Sequence, residues 1–324
     1  MSGIGRRRFV KGIAAGALFA PHAARAQDWP TRPMRFIVHL AAGGGLDFIA
    51  RLVGEHLSRS LGQQVFIENR TGGAGGTIGI DAGIKSPPDG YNFLISNDNV
   101  ASSPHVLRLN VDFLKDLMPV SLLGRQPQVL AVHPSLEVKS VGELAAAAKK
   151  LASLGCATSG VGSNQHVLME WFAKVADIKL EHVPYRGAGQ AINDLLAGHV
   201  KLAILGPTAT LPHANAGTIR LLAQSGEARS PSMPDLPTLQ ESGYPGVSLE
   251  SWFAAFAPLG TPPAVIARLN AECDKALADK VTRDALFKAA TEPVGGDTER
   301  LAKLARADSE KYARIVKEVN IKLN

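Results

Sequence analysis

The stretch MRFIVHLAAGGGLDFIARLVGEHL, residues 34–57, joins a short apolar run to a helical pattern through three consecutive glycines. The apolar run is typical of a buried strand. After the glycines, apolar residues recur at helical spacing on one face: Leu46, Ile49, Val53, Leu57 and Leu61. Gly62 then stands where a glycine commonly ends a helix. A strand that passes through a Gly-rich turn into an amphipathic helix is a building unit of α/β folds.

The same unit recurs along the rest of the chain. Further apolar runs predict strands in QVFIEN (64–69), YNFLISN (91–97), QVLAVHP (128–134), LEHVPYRG (180–187), VKLAIL (200–205), FAAFAPLG (253–260) and the start of GCATSGVGSNQHVLMEWFAKV (155–175). Helical patterns lie between them, and one of these opens with a capping box formed by Ser140 and Glu143. This alternation predicts an α/β fold with largely parallel sheets.

The chain is long enough for two lobes. After residues 1–26, which we assign below to an export signal, 298 residues remain, enough for two hydrophobic cores. A Pro-rich segment, RSPSMPDLPTLQESGYPG, leads back from the second half. We place the boundaries near residues 126 and 245, so that one lobe comprises 27–126 with 245–324 and the other 127–244.

The first 26 residues have the pattern of an export signal. Arg6-Arg7, with Phe9 and Lys11, matches a twin-arginine signal, and Ala24-Arg25-Ala26 fits a small-x-small cleavage site. The apolar stretch between these motifs is much shorter than the ~20 residues that span a bilayer, which argues against a membrane anchor. We therefore expect export to the periplasm by the twin-arginine route.

Charge and cysteine content narrow the function classes. The signal carries five of the 35 Lys and Arg residues and none of the 29 Asp and Glu residues, so the remaining chain is close to neutral. No basic surface is predicted, which argues against nucleic acid as a partner. Cys156 and Cys273 lie in dissimilar sequence contexts, and we expect them to be free, buried thiols.

The Gly-rich turn after the first strand admits three interpretations. A dinucleotide site needs a glycine where Phe48 stands, and Asp47 would place a negative charge beside the pyrophosphate. A small carboxylate fits better, because free N–H groups at a helix start bind an anion without a cationic side chain. In that case Asp47 caps the turn or binds a polar or cationic part of the ligand. The third interpretation is an ordinary strand–helix connection. The candidate ligand residues of this turn are Ala41, Ala42, Gly43, Gly44, Gly45 and Asp47.

A second turn of the same kind lies in the other half of the chain. TSGVGSNQH, residues 158–166, again places glycines and hydroxyl groups between a predicted strand and a predicted helix. Two such turns, one in each lobe, would face each other across a cleft and hold both ends of a diacid. The candidate ligand residues of this second turn are Ser159, Gly160, Gly162, Ser163 and Asn164.

Other motifs leave more than one interpretation open. Ser96 and Asn97 end a predicted strand, where α/β folds place ligands, and a ligand role and a turn-capping role are equally compatible with the pattern. Arg186 is either a bidentate carboxylate clamp or a surface ion pair, of which we favour the ion pair. The motifs His-Glu-x-x-His, Gly-x-Ser-x-Gly and Ser-x-x-Lys are absent. We therefore predict no enzyme activity, cofactor or metal.

Taken together, several motifs resemble one known family. In chain order, the motifs AAGGGLDFIAR, ENRTGGAGGTIG, PDGYNFL, SGVGSNQH, HVPYRGAGQAINDLLAGHV and DLPTLQESGYPG with WFAAFAPLGTP are similar to those of the Bug/TctC-type solute receptors of tripartite tricarboxylate transporters. The similarity extends over residues 30 to 320. It departs at His39-Leu40-Ala41-Ala42, where the family often has an aromatic residue followed by two prolines.

The resemblance implies a two-lobed periplasmic binding protein of type II-like fold. Each lobe would be a mostly parallel sheet flanked by helices, with the ligand cleft between the lobes. Loops of both lobes would bind a carboxylate through backbone amides, often with ordered water. Carried over by position, these loops are residues 41–47 and 159–164.

The function implied is capture of a small carboxylate and its delivery to the integral membrane subunits of such a transporter, by a receptor that we expect to be a monomer. Two alternatives stay open. One is a receptor that signals to a membrane sensor, and the other is an exported hydrolase.

Overall fold

The computed structural model describes residues 29–321, so the predicted export signal lies outside the described residues. In chain order the strands are β1 (Met34–Val38), β2 (Val65–Asn69), β3 (Asn92–Asn97), β4 (Leu117–Pro127), β5 (Val129–Val132), β6 (Leu154–Thr158), β7 (Leu180–Pro184), β8 (Leu202–Leu205), β9 (Arg220–Gln224), β10 (Glu250–Pro258) and β11 (Glu292–Pro293). All the runs predicted as strands contain one.

Helices separate most of these strands. They are α1 (Gly45–Leu61), α2 (Thr77–Ile84), α3 (Asn99–Val106), α4 (Val141–Lys150), α5 (Asn164–Ala176), α6 (Ala188–Leu196), α7 (Pro207–Asn215), α8 (Pro263–Ala278), α9 (Lys280–Lys288) and α10 (Thr298–Val319). Gly62 ends α1 with a φ of 65°, as predicted. The capping box is present too, since the Glu143 N–H donates to Ser140 Oγ at 3.1 Å.

The strands form two sheets with closely similar topology. The first has the order β11-β4-β10-β3-β1-β2 and the second the order β7-β6-β8-β5-β9. In each sheet three neighbouring strands are parallel, and a fourth, β10 or β5, runs against both of its neighbours. The predicted α/β architecture is confirmed, with sheets that are mixed rather than purely parallel.

Three strands, β4, β9 and the two-residue β11, had no clear sequence signal. β4 contains Pro119, which cannot donate to a sheet ladder and therefore argues against a strand. In the structure Pro119 pairs with Phe256 where the register between β4 and β10 shifts, a position that tolerates proline. β9 has only five residues and pairs with β5 alone among the strands.

The chain crosses between the two sheets at two places that lie side by side. The first crossing is Gln128, between β4 and β5, and the second is the segment from Ser225 to Leu249, between β9 and β10. The Gln128 N–H donates to Ser225 Oγ at 2.8 Å, and the Ser225 N–H donates to the Gln128 carbonyl at 2.9 Å. The Leu249 N–H then donates to the Ser225 carbonyl at 3.0 Å. The two crossings are therefore joined by one backbone–backbone hydrogen bond and by one bond from a backbone N–H to the Ser225 hydroxyl.

The core is divided among faces of the two sheets. One apolar cluster packs α1 and α8 against the first sheet, and another packs α6 against the second. The largest cluster contains residues of both sheets, among them Leu94 and Ile204, and includes buried residues of α10. α10 contacts α3, α5 and β4, so the C-terminal helix joins elements of both halves. Cys156 and Cys273 are free and buried, as predicted.

Removal of a core side chain should show how much α1 contributes. Leu57 of α1 is fully buried, and Leu57→Ala should lower the free energy of unfolding by about 2–5 kcal/mol, because it leaves a cavity. Leu259, which is 62% exposed, is the matched control, and Leu259→Ala should change stability by less than about 0.5 kcal/mol. Urea unfolding of both variants measures the difference, and equal losses would contradict the packing described.

Candidate functional site

A cavity of about 170 Å³ lies where loops from the two sheets meet. The first sheet contributes residues that follow β1 and β2, and the second contributes residues that end or follow β6 and β7. The carboxyl ends of parallel strands are the usual place for ligands in α/β folds. The lining residues are His39, Leu40, Gly72, Gly73, Ala74, Gly75, Gly76, Ser159, Gly160, Val161, Pro184, Tyr185 and Arg186.

Several lining backbone N–H groups have no hydrogen-bond partner within residues 29–321. They belong to Leu40, Gly72, Gly73, Ser159 and Val161. The Ser159 hydroxyl is also without a partner in this part of the chain, although the residue is only 5% exposed. Unpaired N–H groups that line one cavity favour a hydrogen-bond acceptor as the ligand.

The second Gly-rich turn is held in place by hydrogen bonds to side chains that lie outside the cavity lining. The Gly160 N–H donates to Thr158 Oγ1 at 3.1 Å, and the Gly162 N–H donates to His166 Nδ1 at 3.3 Å. Ser163 caps α5, since its Oγ accepts from the His166 N–H at 3.2 Å. Of the residues predicted here, Ser159 and Gly160 line the cavity, whereas Gly162, Ser163 and Asn164 lie outside its lining.

The first Gly-rich turn, residues 41–45, contacts the other half of the molecule and lies outside the cavity lining. The Ala41 N–H donates to the Arg186 carbonyl at 3.1 Å. Gly43 and Gly189, at the start of α6, are so close that a Cβ on Gly43 would lie 3.6 Å from the Gly189 Cα. A Cβ on Gly189 would lie only 2.4 Å from the Ala42 carbonyl oxygen. The turn thus forms a close backbone contact across the cleft.

Asp47 is bound entirely by its own half of the molecule. Its carboxylate accepts from Arg51 Nε at 3.0 Å, from Asn69 Nδ2 at 3.0 Å and from the Gly43 N–H at 3.2 Å. Burial by itself raises the pKa of the Asp47 carboxyl, but the hydrogen bonds from Arg51 and Asn69 outweigh it and hold the pKa below its usual value. Asp47 therefore caps and fixes the turn, one of the two roles considered for it.

His39 connects the cavity to the end of β3. Its Nε2 lies 3.1 Å from Asn97 Oδ1, which also accepts from the Asn99 N–H, so Nε2 carries the proton. Burial lowers the pKa of His39 to about 4, although the bond to Asn97 opposes this, and the ring is neutral at pH 7. Asn97 and Ser96 are buried and do not line the cavity. Asn97 contacts His39 and thus lies directly behind the lining.

Arg186 lies exposed at the rim of the cavity. Its guanidinium group takes part in none of the ion pairs found within residues 29–321, so the surface ion pair that we favoured is not formed there. Its neighbour Tyr185 donates its hydroxyl proton to Asp194 Oδ2 at 2.6 Å. Asp194, an acidic residue of the helix that follows, is therefore bound by Tyr185, and the Arg186 cation is left for solvent or a ligand.

The loop 72–76 was not among the predicted ligand loops, yet it forms one wall of the cavity. It follows β2, which is adjacent to β1 in the sheet, so both strands direct their following loops to one edge. Gly72, Gly73, Gly75 and Gly76 all have positive φ. The available signal was the run TGGAGG directly after a predicted strand, the same pattern that marked the other two turns.

A buried polar network stands behind the cavity and joins both halves. Asp98, at the end of β3, accepts hydrogen bonds from Ser251 of β10 and Tyr312 of α10. Asn164, the first residue of α5, donates to Asp98 Oδ2 at 2.8 Å. Ser102 of α3 donates to the Gly162 carbonyl at 2.7 Å. These contacts hold the second turn against elements of the first sheet.

Two classes of feature are not found in the described part of the chain. No three His, Cys, Asp or Glu side chains between residues 29 and 321 are grouped closely enough to bind a metal ion. Over the same range, no helix combines the length and the apolar character needed to cross a membrane.

Comparison with known proteins gives a consistent picture. The model of the tripartite tricarboxylate transporter family receptor matches residues 49–321. This range includes the second turn, whereas the first turn precedes it.

Solved structures of similar fold cover almost the whole described chain. The periplasmic binding protein BugD is 29% identical, with a TM-score of 0.86, and the match covers 91% of this chain and 99% of BugD. Rpa4515 of R. palustris, solved with adipate, is 32% identical with a TM-score of 0.86, over 90% of this chain and 99% of its own. MatC of Rhodopseudomonas palustris, solved with bound malate, is 28% identical with a TM-score of 0.84, over 89% of this chain and 100% of its own. The two-lobed periplasmic binding protein fold is thereby confirmed.

The buried network predicts a specific pH dependence of stability. Burial raises the pKa of Asp98 to about 6, although hydrogen bonds from Ser251, Tyr312 and Asn164 oppose the shift. An unfolded aspartate loses its proton near pH 4, so between about pH 4 and 6 the folded state holds a proton that the unfolded state has released. Stability from this group therefore falls as the pH rises through that window.

Asp98→Asn removes this titration. Relative to the wild type, the variant should gain about 2 kcal/mol of stability between pH 4 and pH 6, because most of the effect of a shift of about two pKa units falls in this window. Urea unfolding of both proteins at pH 4, 5, 6 and 7 measures the difference. A difference that is constant over this range would show that Asp98 titrates as it does in the unfolded chain.

Proposed function

Because the chain belongs to the tripartite tricarboxylate transporter receptor family, we propose that it is a periplasmic receptor that captures a small carboxylate between two lobes. It then presents the closed complex to the integral membrane subunits of a tripartite transporter. Export by the twin-arginine route and a monomeric state are parts of the same proposal. The lobes are residues 27–126 with 245–324, and residues 127–244.

The observation that carries the proposal is the cavity lined by unpaired N–H groups between the two sheets. A carboxylate accepts several such hydrogen bonds, and bonds to a charged acceptor are the stronger kind. Rpa4515 with adipate and MatC with malate support a carboxylate as the ligand. The proposed role is that of a receptor, which binds the ligand without changing any of its covalent bonds.

The predicted site residues divide into two groups in this proposal. Ser159, Gly160 and Arg186 contact the ligand, together with Leu40 and the loop 72–76. A second group positions them without lining the cavity: Ala41, Ala42, Gly43, Gly44, Gly45, Asp47, Ser96, Asn97, Gly162, Ser163 and Asn164. The N–H groups of residues 41–45 would reach a ligand only through water or in a more open arrangement.

Thermal shift with a panel of acids tests the proposal. The chain from Gln27 would be unfolded and refolded to remove any carried ligand, and then heated with adipate, malate, citrate, benzoate, NAD or a p-nitrophenyl ester. A ligand at 100 times its Kd should add about 2.7 kcal/mol of stability, a shift of several degrees. Stabilisation by at least one of the four acids is expected. Stabilisation by NAD alone, or hydrolysis of the ester, would contradict the proposal.

The close contact between the lobes supplies a second test. Gly189→Ala puts a Cβ 2.4 Å from the Ala42 carbonyl, so the lobes cannot reach the present arrangement without displacement. Because Gly189 lies in α6, where alanine is the better helix former, the unliganded protein should keep its stability. Since a ligand favours the state it binds best, affinity for the acid identified above should fall by at least about 10-fold.

Gly142→Ala is the matched control for this variant. Gly142 lies in α4, and a Cβ there has as its nearest neighbour Ser140 Oγ at 3.9 Å. This variant should bind as the wild type does in isothermal titration calorimetry. Wild-type affinity in Gly189→Ala would show that the lobe contact plays no part in binding.

A further inference from the structure

The helix α3 contacts both of the loops that form opposite walls of the cavity. Asn99 Nδ2 donates to the Gly75 carbonyl of the loop 72–76 at 3.2 Å, and Ser102 Oγ donates to the Gly162 carbonyl of the second turn at 2.7 Å. The loop 72–76 follows a strand of the first sheet, whereas the second turn follows a strand of the second sheet. One short helix therefore supports both sides of the cavity.

Ser103 of α3 lies between the two loops. A Cβ on Gly75 would lie 2.2 Å from Ser103 Oγ, and a Cβ on Gly162 would lie 3.2 Å from the same atom. Ser103 is fully buried, and the two glycines have positive φ values of 66° and 83°. The backbone of each loop is therefore packed directly against the Ser103 hydroxyl group.

The two loops also contact each other beside this serine. A Cβ on Gly75 would lie 3.3 Å from the Val161 carbonyl oxygen. Gly75 and Val161 both line the cavity, while Ser103 lies outside its lining. The distance between the two walls therefore depends on a side chain that a ligand in the cavity does not touch.

The helix α3 is anchored on its other side by α10. His105 Nε2 lies 2.8 Å from Ser309 Oγ, and the Tyr312 hydroxyl donates to Asp98, the residue directly before α3. Buried apolar residues of α3 also belong to the largest apolar cluster. Because α3 is fixed by these contacts, a change in the size of residue 103 has to be taken up by the two loops.

The cavity is small enough for a displacement of its walls to affect binding. Its volume is about 170 Å³. In a close-fitting pocket, one methylene group more or less on the bound molecule changes binding about 10- to 200-fold. A small change in the separation of the walls is therefore enough to alter which sizes of ligand fit.

From this arrangement, and resting on the proposed function, we propose that Ser103 is a positioning residue that sets the size of the acid the receptor accepts. It keeps the loop 72–76 and the second turn at the separation that fits the ligand. A larger side chain at this position separates the walls and favours a larger acid. A smaller side chain lets the walls approach each other and favours a smaller acid.

The variants Ser103→Thr and Ser103→Ala test this role. The added methyl group of threonine has to displace one of the two loops, because the serine is already packed against both of their glycines. Alanine removes the hydroxyl group between them. Ser86→Thr and Ser86→Ala are the matched controls, since Ser86 is also buried and also precedes a proline but lies just after α2, outside the cavity lining.

Three pairs of acids supply the comparison of size: succinate with adipate, malate with citrate, and benzoate with 3-phenylpropionate. Each of the four acids of the thermal-shift panel belongs to one of these pairs. Isothermal titration calorimetry at pH 7 with refolded protein gives the affinities. The quantity compared between variants is the ratio of the affinity for the larger acid to that for the smaller acid.

In at least one pair, Ser103→Thr should shift this ratio toward the larger acid by at least about 10-fold relative to the wild type, and Ser103→Ala should shift it toward the smaller acid. The Ser86 controls should keep the wild-type ratio. If Ser103→Thr does not fold, Ser103→Ala alone decides.

A purely structural role of Ser103 would change the affinity for both acids of a pair equally. Unchanged ratios in every pair that binds would therefore overturn the inference and leave the receptor function standing. If none of the six acids binds the wild type, the proposed function fails and the inference fails with it.

Discussion

The arrangement of the site depends on the double crossing between the sheets at Gln128 and Ser225. Two hydrogen bonds join Gln128 and Ser225, and Leu249 donates to the carbonyl of the same serine. These bonds hold the two crossing segments side by side. A change in the angle between the two sheets would turn about this connection and would also have to repack the apolar cluster that both sheets share. The cleft must then be closed by contacts far from the crossings, and the backbone contact of residues 41–44 with residues 187–189 is such a contact. Glycine is required there because side chains would hold the backbones apart.

A chain that is close to neutral can bind an anion when several unpaired N–H groups line the same cavity. The groups that direct them are polar side chains behind the turns: Asp47 fixes the first turn, while Thr158, His166 and Ser163 fix the second. These contacts are formed within one half of the molecule each, so the donors are in place before the ligand arrives. Preorganised donors lose little entropy on binding. Affinity then rests on the backbone, which also makes it insensitive to most side-chain changes.

Much of the fold was predictable because each strand–turn–helix unit is encoded locally. The helix that follows residues 41–45 has its apolar face, its first-turn acid and its terminal Gly62 within one short stretch. β4 was not predictable, since Pro119 is acceptable only where a register shift between β4 and β10 removes the need for its N–H. That condition depends on Phe256, which is far away in the chain. Local pattern therefore predicts the units, and long-range pairing decides what lies between them.

The same distinction, between local pattern and long-range pairing, explains which parts of the site could be predicted. Sequence indicated three Gly-rich turns and two of them were chosen as ligand loops, but which face of a turn meets the cavity depends on the sheet order. β2 neighbours β1, so the loop 72–76 comes to the cavity, while the turn 41–45 is directed to α6. Asn164 looked like a ligand residue and instead joins Asp98 in the buried network.

Polar residues beside a ligand loop thus serve two purposes that sequence cannot separate. Some present donors to the ligand, and others occupy the acceptors that would otherwise face it. Asn69, Asn99 and Ser163 belong to the second kind, since each donates to a carbonyl in the cavity lining. Each of these three bonds removes one acceptor from the cavity lining. Sequence alone does not show which of these two purposes a polar residue serves, because the answer depends on which carbonyl or ligand group the fold brings next to it.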